Sequence, residues 1–250
     1  MTVDFEEQYT QTPEYGSLFM YLLIKTNQLK EAERFLNQLN QVDSIPESEK
    51  SSLREQLDEA LLFEEEKVNV RKLEVLKKLY AFSEYTIEEQ LNLIGESVII
   101  KNNELSGIVN SLFGNPFIDE HIKALFLQRL IQSEYEASIS LKIVNQEVTV
   151  NPNTLEEFDK NSLIITLNQE LEYVLEKDPS LMMMIKPELN RHLLRLYPLI
   201  DTIVEDVKGW IDIYVDRYDF EESVKSIESN RTDEKTRMKK WIDAITFENT

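Results

Sequence analysis

The side chains that most often carry catalysis or bind metals are scarce in this chain. It contains two histidines, His121 and His192, and no cysteine, so a thiol nucleophile, a disulfide framework and a cysteine-ligated zinc site are excluded. Glu188 and His192 are four residues apart and would share one face of a helix, as two metal ligands do. Such pairs are common on helices, however, and zinc would need both histidines or several carboxylates. We therefore predict no metal site and no cofactor.

Motifs for phosphate binding and nucleophilic catalysis are also missing. The five glycines are too widely separated to form a phosphate loop: Gly16, Gly95, Gly107, Gly114 and Gly209. There is no Gly-x-Ser-x-Gly elbow. Asp119 and Glu120 stand where a helix begins, and capping explains them better than chemistry. We predict no catalytic residues; the alternative is an enzyme with a carboxylate-lined cleft, where acids such as Glu64 and Glu65 would need shifted pKa values.

The charge balance indicates which partners suit the chain. Its 250 residues include 27 Lys and Arg against 47 Asp and Glu, a net charge of −20. This charge favours a protein or peptide with basic segments and disfavours nucleic acid, whose phosphates need cations. Two small basic groups are present: Arg71, Lys72, Lys77 and Lys78 in one helical stretch, and Lys235, Arg237, Lys239 and Lys240 before Trp241. We interpret both as balancing nearby acids; the alternative is an RNA- or ribosome-associated regulator that uses the second group.

The hydropathy pattern predicts neither a membrane span nor a secretory signal. No stretch reaches 18 uncharged apolar residues, so no membrane span and no membrane partner are predicted. The first ten residues are acidic and polar and lack the basic start and apolar run of a secretory signal. We predict a cytoplasmic protein.

The amino-terminal elements are predicted to be helical. Apolar residues recur at helical spacing over residues 14–25 and again over 29–39, so two antiparallel helices form an αα-hairpin, with Asn27 in the turn and Ala32 where the helices cross. The pair resembles one tetratricopeptide unit. Residues 47–81 then predict either a second helix pair or one long bent helix, with Asn69 as the possible break.

A groove between these first two helix pairs is the predicted binding site. Stacked helix pairs create a concave surface that holds a peptide or a partner helix. The predicted partner-binding residues are Tyr15, Phe19, Tyr21 and Asn27.

The middle of the chain predicts three short helices followed by a β-hairpin. Thr86 and Glu89 form a capping-box pattern, a helix over residues 103–113 should end at Gly114 with a left-handed cap, and a third helix covers 118–132. β-Branched residues then flank Asn145-Gln146, the predicted turn of the hairpin. The alternative is a slightly longer loop, because Asn-Gln suits a two-residue turn less well than Asn-Gly. The hairpin should cover helix ends or extend a strand of a partner.

The last part of the chain predicts further helices. One covers residues 163–176, and Asp178 with Pro179 starts the next. Residues Met182 to Met184 are predicted to fill the core, and the alternative is a peptide-binding patch. Pro187 should kink or restart the helix. Another helix begins near Asp201, and a final one is centred on Trp241 and Ile242 within residues 220–250.

Several segments together resemble a known family. They are Thr86 to Gly95, Asn115 to Leu130, the strand pair ending Val148-Thr149-Val150-Asn151-Pro152, Lys177-Asp178-Pro179-Ser180-Leu181, and Leu193 to Pro198. In this order they resemble the uncharacterised tetratricopeptide-like proteins, with a domain of unknown function, of low-GC Gram-positive bacteria. The resemblance covers residues about 10 to 218. It implies a cytoplasmic, mostly helical protein with a role in protein interaction, and it brings no catalytic residues.

The predicted fold is mainly α. It is a curved stack of antiparallel helix pairs, tetratricopeptide-like and then HEAT-like, with one small β-hairpin. Three regions are expected: a tetratricopeptide-like region over residues 1–82, HEAT-like helices plus the hairpin over 83–160, and a C-terminal helical region over 161–250. The predicted function is a non-enzymatic scaffold or adaptor for protein–protein interaction, and a homodimer is left open.

Overall fold

A computed structural model describes residues 13–42, 45–144, 146–218 and 238–244. Within these residues the chain is mainly helical and contains one two-stranded antiparallel sheet, which confirms the predicted class. The chain divides into two units, residues 1–74 (unit 1) and 75–250 (unit 2). The predicted division into three regions stays a prediction.

Unit 1 begins with the predicted αα-hairpin. α1 covers Pro13–Lys25 and α2 covers Leu29–Leu39. Asn27 has φ 57° in the turn, a left-handed conformation that asparagine tolerates better than most residues. The core of unit 1 consists of Met20, Leu23, Ala32, Phe35, Leu36, Leu39, Ile45, Leu53 and Leu57.

The segment after the hairpin is one long helix. α3 covers Glu47–Tyr80 without interruption, and Asn69 lies inside it. Of the two predicted alternatives, the structure therefore has the long helix rather than a second helix pair. Leu53 and Leu57 belong to the core of unit 1, whereas Val75 and Leu79 belong to the core of unit 2.

Three helices open unit 2 after α3. They are α4 (Ile87–Glu96), α5 (Asn102–Gly114) and α6 (Glu120–Gln132). The capping box at the start of α4 is confirmed: Thr86 Oγ1 accepts from the Glu89 N–H, and the Glu89 carboxylate accepts from the Thr86 N–H at 2.8 Å. The N-cap role of Asp119 is also confirmed, because its carboxylate accepts from the His121 N–H at 2.7 Å.

The predicted left-handed cap at Gly114 is wrong. No described glycine has a positive φ. Asn115 is extended instead, with φ −80° and ψ 118°, because the residue before a proline is disfavoured in the helical region. The Asn115 side chain then accepts from the Phe117 N–H at 2.9 Å, which stabilises the turn.

The β-hairpin is present with a turn one residue earlier than predicted. β1 covers Ile139–Ile143 and β2 covers Gln146–Val150, with Ile143 opposite Gln146. Val144 therefore belongs to the connection rather than to the strand, and its φ is 54°. Alternate residues of β1 are buried, and β1 packs against α5.

The rest of unit 2 is helical. The elements are α7 (Ser162–Val174), α8 (Pro179–Leu196), α9 (Ile200–Ile203), α10 (Val207–Tyr218) and a helical stretch at 238–244. Short 3₁₀ turns occur at Phe82–Glu84, Ser97–Ile99, Pro152–Thr154 and Phe158–Lys160. α8 continues through Pro187 without restarting. The single helix predicted from Asp201 is two helices.

Two residues of the methionine run are not in the core. Met183 is 79% exposed and Met184 is 58% exposed, so the prediction of core filling is wrong for both. Successive positions on a helix point in different directions. Ile185 and Leu189 supply the side of α8 that is buried.

The predicted C-terminal helix is only partly within the described residues. Lys239, Lys240 and Trp241 lie in the helical stretch 238–244, and both lysines are exposed. Lys235 and Arg237 lie outside the described residues. Among the helices that are described, none is long and apolar enough to span a membrane.

Asn161 provides a test of the local start of α7. Its buried side chain accepts from the N–H groups of Leu163 and Ile164 at 3.0 and 3.1 Å. Asn161→Ala should lower the free energy of unfolding by about 1–2 kcal/mol, because the cap is lost. Asn161→Asp should stay close to the wild type, since aspartate caps equally well. Chemical denaturation measures both; equal losses in the two variants would contradict the capping role.

Candidate functional site

α1 carries apolar side chains on two sides. Met20 and Leu23 are buried in the core of unit 1. On another side, four large side chains are between 49 and 55% exposed; we call them the α1 apolar face: Tyr15, Leu18, Tyr21 and Leu22. A helix at the surface of a globular unit needs only one apolar side. About half of the surface of each side chain in the α1 apolar face therefore lies outside the core of unit 1.

The spacing of these residues makes the α1 apolar face continuous. Leu18 lies three residues after Tyr15 and three before Tyr21, and Leu22 lies four residues after Leu18. Side chains three or four residues apart are neighbours on a helix surface. The four side chains thus form one stripe over about two turns.

The structure separates the four predicted partner-binding residues into two groups. Tyr15 and Tyr21 both lie in the α1 apolar face. Phe19 is half-buried and meets the ring of Phe35 edge to face, with centroids 4.8 Å apart, and Asn27 lies in the turn after α1. That these four residues bind a partner stays a prediction. Phe19 and Asn27, as placed, support the hairpin.

Leu18 and Leu22 are the members of the α1 apolar face that sequence reasoning missed. They follow Tyr15 by three and seven residues, the spacing of anchors on one side of a helix. This spacing was available in the sequence. What the sequence does not show is that the side with Met20 and Leu23, rather than this one, is buried.

The polar surroundings in unit 1 are acidic. The Lys25 ammonium lies 5.5 Å from the centre of the Tyr21 ring, at the end of the α1 apolar face. Along the first half of α3, an open depression is lined by four carboxylates and two cations: Glu47, Glu55, Asp58, Glu59, Lys50 and Arg54. The balance of charge at this depression suits a basic rather than an acidic partner.

The pair Glu188 and His192 does not have the geometry of a metal site. His192 is 2% exposed, and its Nδ1 lies 2.7 Å from the Tyr214 hydroxyl. Glu188 accepts from the Tyr218 hydroxyl and lies 3.6 Å from Arg217. In the part of the chain that the structure describes, no group of three His, Cys, Asp or Glu residues could hold a metal ion.

Burial controls the protonation of this polar cluster. It lowers the pKa of His192 to about 4; Glu188 opposes the shift, and the arginines at 191, 195 and 217 add to it. Burial also raises the pKa of Tyr214. At neutral pH the imidazole and the phenol are both uncharged, so their contact is a buried neutral hydrogen bond. It joins α8 to α10.

A small cavity in unit 2 also has both charged and apolar side chains in its lining. It lies between α6, β1 and α8 and has a volume of about 20 Å³, enough for about one water molecule. Lys123, Lys142 and Arg195 line it with Glu120, whose carboxylate pairs with the Lys123 ammonium at 2.8 Å.

No family model, curated protein or solved structure matches the chain. The family resemblance therefore stays a prediction.

Proposed function

We propose that the protein is a non-enzymatic scaffold or adaptor that binds a helix or peptide of another protein on the α1 apolar face. The observation that carries this proposal is the half-exposure of Tyr15, Leu18, Tyr21 and Leu22 on a helix whose other side already packs in the core.

The energetic argument rests on apolar area. Burying a leucine or a similar side chain completely contributes about 1.5–3 kcal/mol. Because each side chain of the α1 apolar face is about half exposed, its complete burial by a partner would contribute about half of that free energy. Tyrosine suits such a surface because its ring is apolar and its hydroxyl tolerates water. The stripe matches a partner helix with anchors at i, i+3, i+4 and i+7.

The partner is proposed to carry basic segments next to its apolar anchors. The net charge of −20 and the acidic depression on α3 support this choice. Electrostatic attraction should speed association and make it sensitive to salt. A partner whose binding is indifferent to salt would count against this part of the proposal.

The proposal includes the finer architecture expected from the sequence. We propose a curved stack of helix pairs, tetratricopeptide-like and then HEAT-like, in a cytoplasmic protein of the family that the chain resembles. The antiparallel pair α1 and α2, and the succession α4, α5 and α6, support it. Such stacks commonly present extended surfaces to partners.

Affinity capture from the host cell, after mild crosslinking in the cell, tests the proposed function. The test variant is Leu18→Asp with Leu22→Asp, which makes the α1 apolar face polar. We expect at least one protein captured by the wild type to be lost, because two anchors are replaced by charges.

The matched control is Met183→Asp with Met184→Asp, which places the same charges on an exposed apolar part of α8. The control should capture the same protein as the wild type, and circular dichroism should show equal helix content in all three chains. Equal capture by the test variant, or no capture by any chain, would refute the proposal.

A further inference from the structure

The middle of α3 has an apolar surface that neither core uses. Between Leu57 and Val75, no side chain of α3 belongs to the hydrophobic core of unit 1 or of unit 2. Six large apolar side chains in this stretch are between 39 and 64% exposed: Leu61, Leu62, Phe63, Val68, Val70 and Leu73. A solvated helix normally carries polar residues all round. The side of this stretch that carries Leu62, Phe63, Val70 and Leu73 is therefore more apolar than a solvated helix requires.

Part of this surface has the spacing of a coiled-coil seam. Four positions follow one another at intervals of four, three and four residues, with leucine at the two ends and polar residues between them: Leu62, Glu66, Asn69 and Leu73. These intervals are those of a and d positions in a heptad. Phe63 and Val70 flank the seam on one side, and Glu65 and Lys72 flank it on the other.

We propose that the seam of α3 binds the seam of a second copy of this chain, with the two α3 helices antiparallel. Leu62 then packs against Leu73 of the second copy, and Leu73 against Leu62 of the second copy. Phe63 meets Val70 of the second copy along one flank. Each contact occurs twice, as a two-fold axis requires, and the assembly closes at two chains.

The distribution of charge along α3 argues for a second copy in this direction. Glu65 precedes the midpoint of the seam, and Lys72 follows it on the same flank. Antiparallel pairing places Glu65 opposite Lys72 of the second copy, twice. A parallel pair would place Glu65 beside Val70 and Lys72 beside Lys77 of the second copy, so no opposite charges would meet. The charges of one α3 helix therefore match those of a second α3 helix that runs in the opposite direction.

The polar residues of the seam set its register. In the antiparallel arrangement Glu66 faces Asn69 of the second copy, and the Asn69 amide donates to the Glu66 carboxylate. A polar pair in a seam costs stability but specifies alignment and partner number. A shift by one heptad would place Glu66 opposite Leu62 in one direction and Asn69 opposite Leu73 in the other, so a polar group would face leucine in either case. The register with Leu62 opposite Leu73 is therefore favoured.

The first experiment measures the mass of the full chain by light scattering at increasing concentration. We expect twice the chain mass of 29.4 kDa. Glu65→Lys places cation against cation twice and should weaken the dimer about tenfold or more, which corresponds to about 1.4 kcal/mol. Lys72→Glu should weaken it similarly, by placing acid against acid.

Mixing the two variants gives the sharpest outcome. In a mixed dimer, one chain carries Glu65→Lys and the other carries Lys72→Glu. An acid then lies opposite a cation in both of the two equivalent contacts, so the mixture should regain the wild-type affinity. The control Glu33→Lys, with the same change of charge on an exposed position of α2, should leave the dimer unaffected. The proposal would be overturned if the chain stayed monomeric at all concentrations, even if it bound another protein. A dimer that neither variant weakens would also overturn it.

Single cysteines test the direction, because the natural chain has none. Chains with Leu62→Cys and chains with Leu73→Cys, when mixed and oxidised, should form a mixed disulfide-linked dimer. Neither chain alone should crosslink efficiently. Crosslinking of Leu62→Cys only with itself would overturn the antiparallel arrangement. The chain with the altered α1 apolar face should still dimerise, so this proposal and the proposed function fail separately.

Discussion

Replacing Phe126 with alanine should lower the free energy of unfolding of unit 2 by about 3–5 kcal/mol. Phe126 is fully buried in α6, and its ring lies 6.4 Å from the ring of Phe82 and 6.0 Å from the ring of Phe113. The substitution removes apolar surface from the centre of the core and leaves a cavity that close-packed neighbours fill only partly. Guanidinium denaturation followed by circular dichroism measures the loss.

Two further variants make this expectation specific. Phe117 is 86% exposed, so Phe117→Ala should change the stability by no more than about 0.5 kcal/mol. Phe126→Leu keeps most of the side-chain volume, so its free energy of unfolding should fall by less than about 1.5 kcal/mol. This variant should stay folded even if Phe126→Ala does not. Similar losses for Phe117→Ala and Phe126→Ala would contradict the assigned core.

Acidification from pH 6.5 to pH 4 should remove about 3 kcal/mol of stability through His192 alone. Burial lowers its pKa to about 4 in the folded chain, from 6.5 as the ordinary value. Between these two values the unfolded chain binds the proton and the folded chain does not. The contribution is therefore fully present above pH 6.5 and is lost as the pH falls toward 4, at about 1.4 kcal/mol for each unit of pKa difference.

The variant His192→Phe isolates this contribution. At neutral pH it should be less stable than the wild type, since the buried Tyr214 hydroxyl loses its partner, at a cost of about 1–3 kcal/mol. As the pH falls, the difference between the two chains should shrink, because only the wild type must accommodate a buried imidazolium. Urea denaturation at several pH values measures this difference in the free energy of unfolding. The carboxylates are the same in both chains, so their titration contributes equally and cancels in the difference. A difference that stays constant from pH 7.5 to pH 4 would show that His192 does not titrate as described.

Three helix starts illustrate what can be predicted locally. Thr86 with Glu89, Asp119, and Asp178 before Pro179 are N-caps in the structure as in the sequence pattern. A cap and its hydrogen-bond partners lie within three residues of each other, so the information is contained in a few neighbouring positions. The turn at Asn27 and the pairing of α1 with α2 depend on similarly short spacing.

The candidate site was only half predictable. Helical spacing places Tyr15 and Tyr21 on α1, but it does not tell which of the apolar sides of that helix faces α2. The side with Met20 is buried and the side with Leu18 is half exposed, a choice made by the packing against Phe35 and its neighbours. For the same reason Phe19 supports the core, although by type it resembles the tyrosines beside it.

The sequence by itself determined the helical class, the hairpin, the capped helix starts and the acidic surface. All of these follow from composition or from residues a few positions apart. Only the tertiary structure decided that residues 47–80 form one helix, that Met183 and Met184 are exposed, and that the hairpin turn begins at Val144. These outcomes depend on which surfaces meet across long separations in the chain. Side-chain packing is a property of the assembled core, and no local pattern contains it.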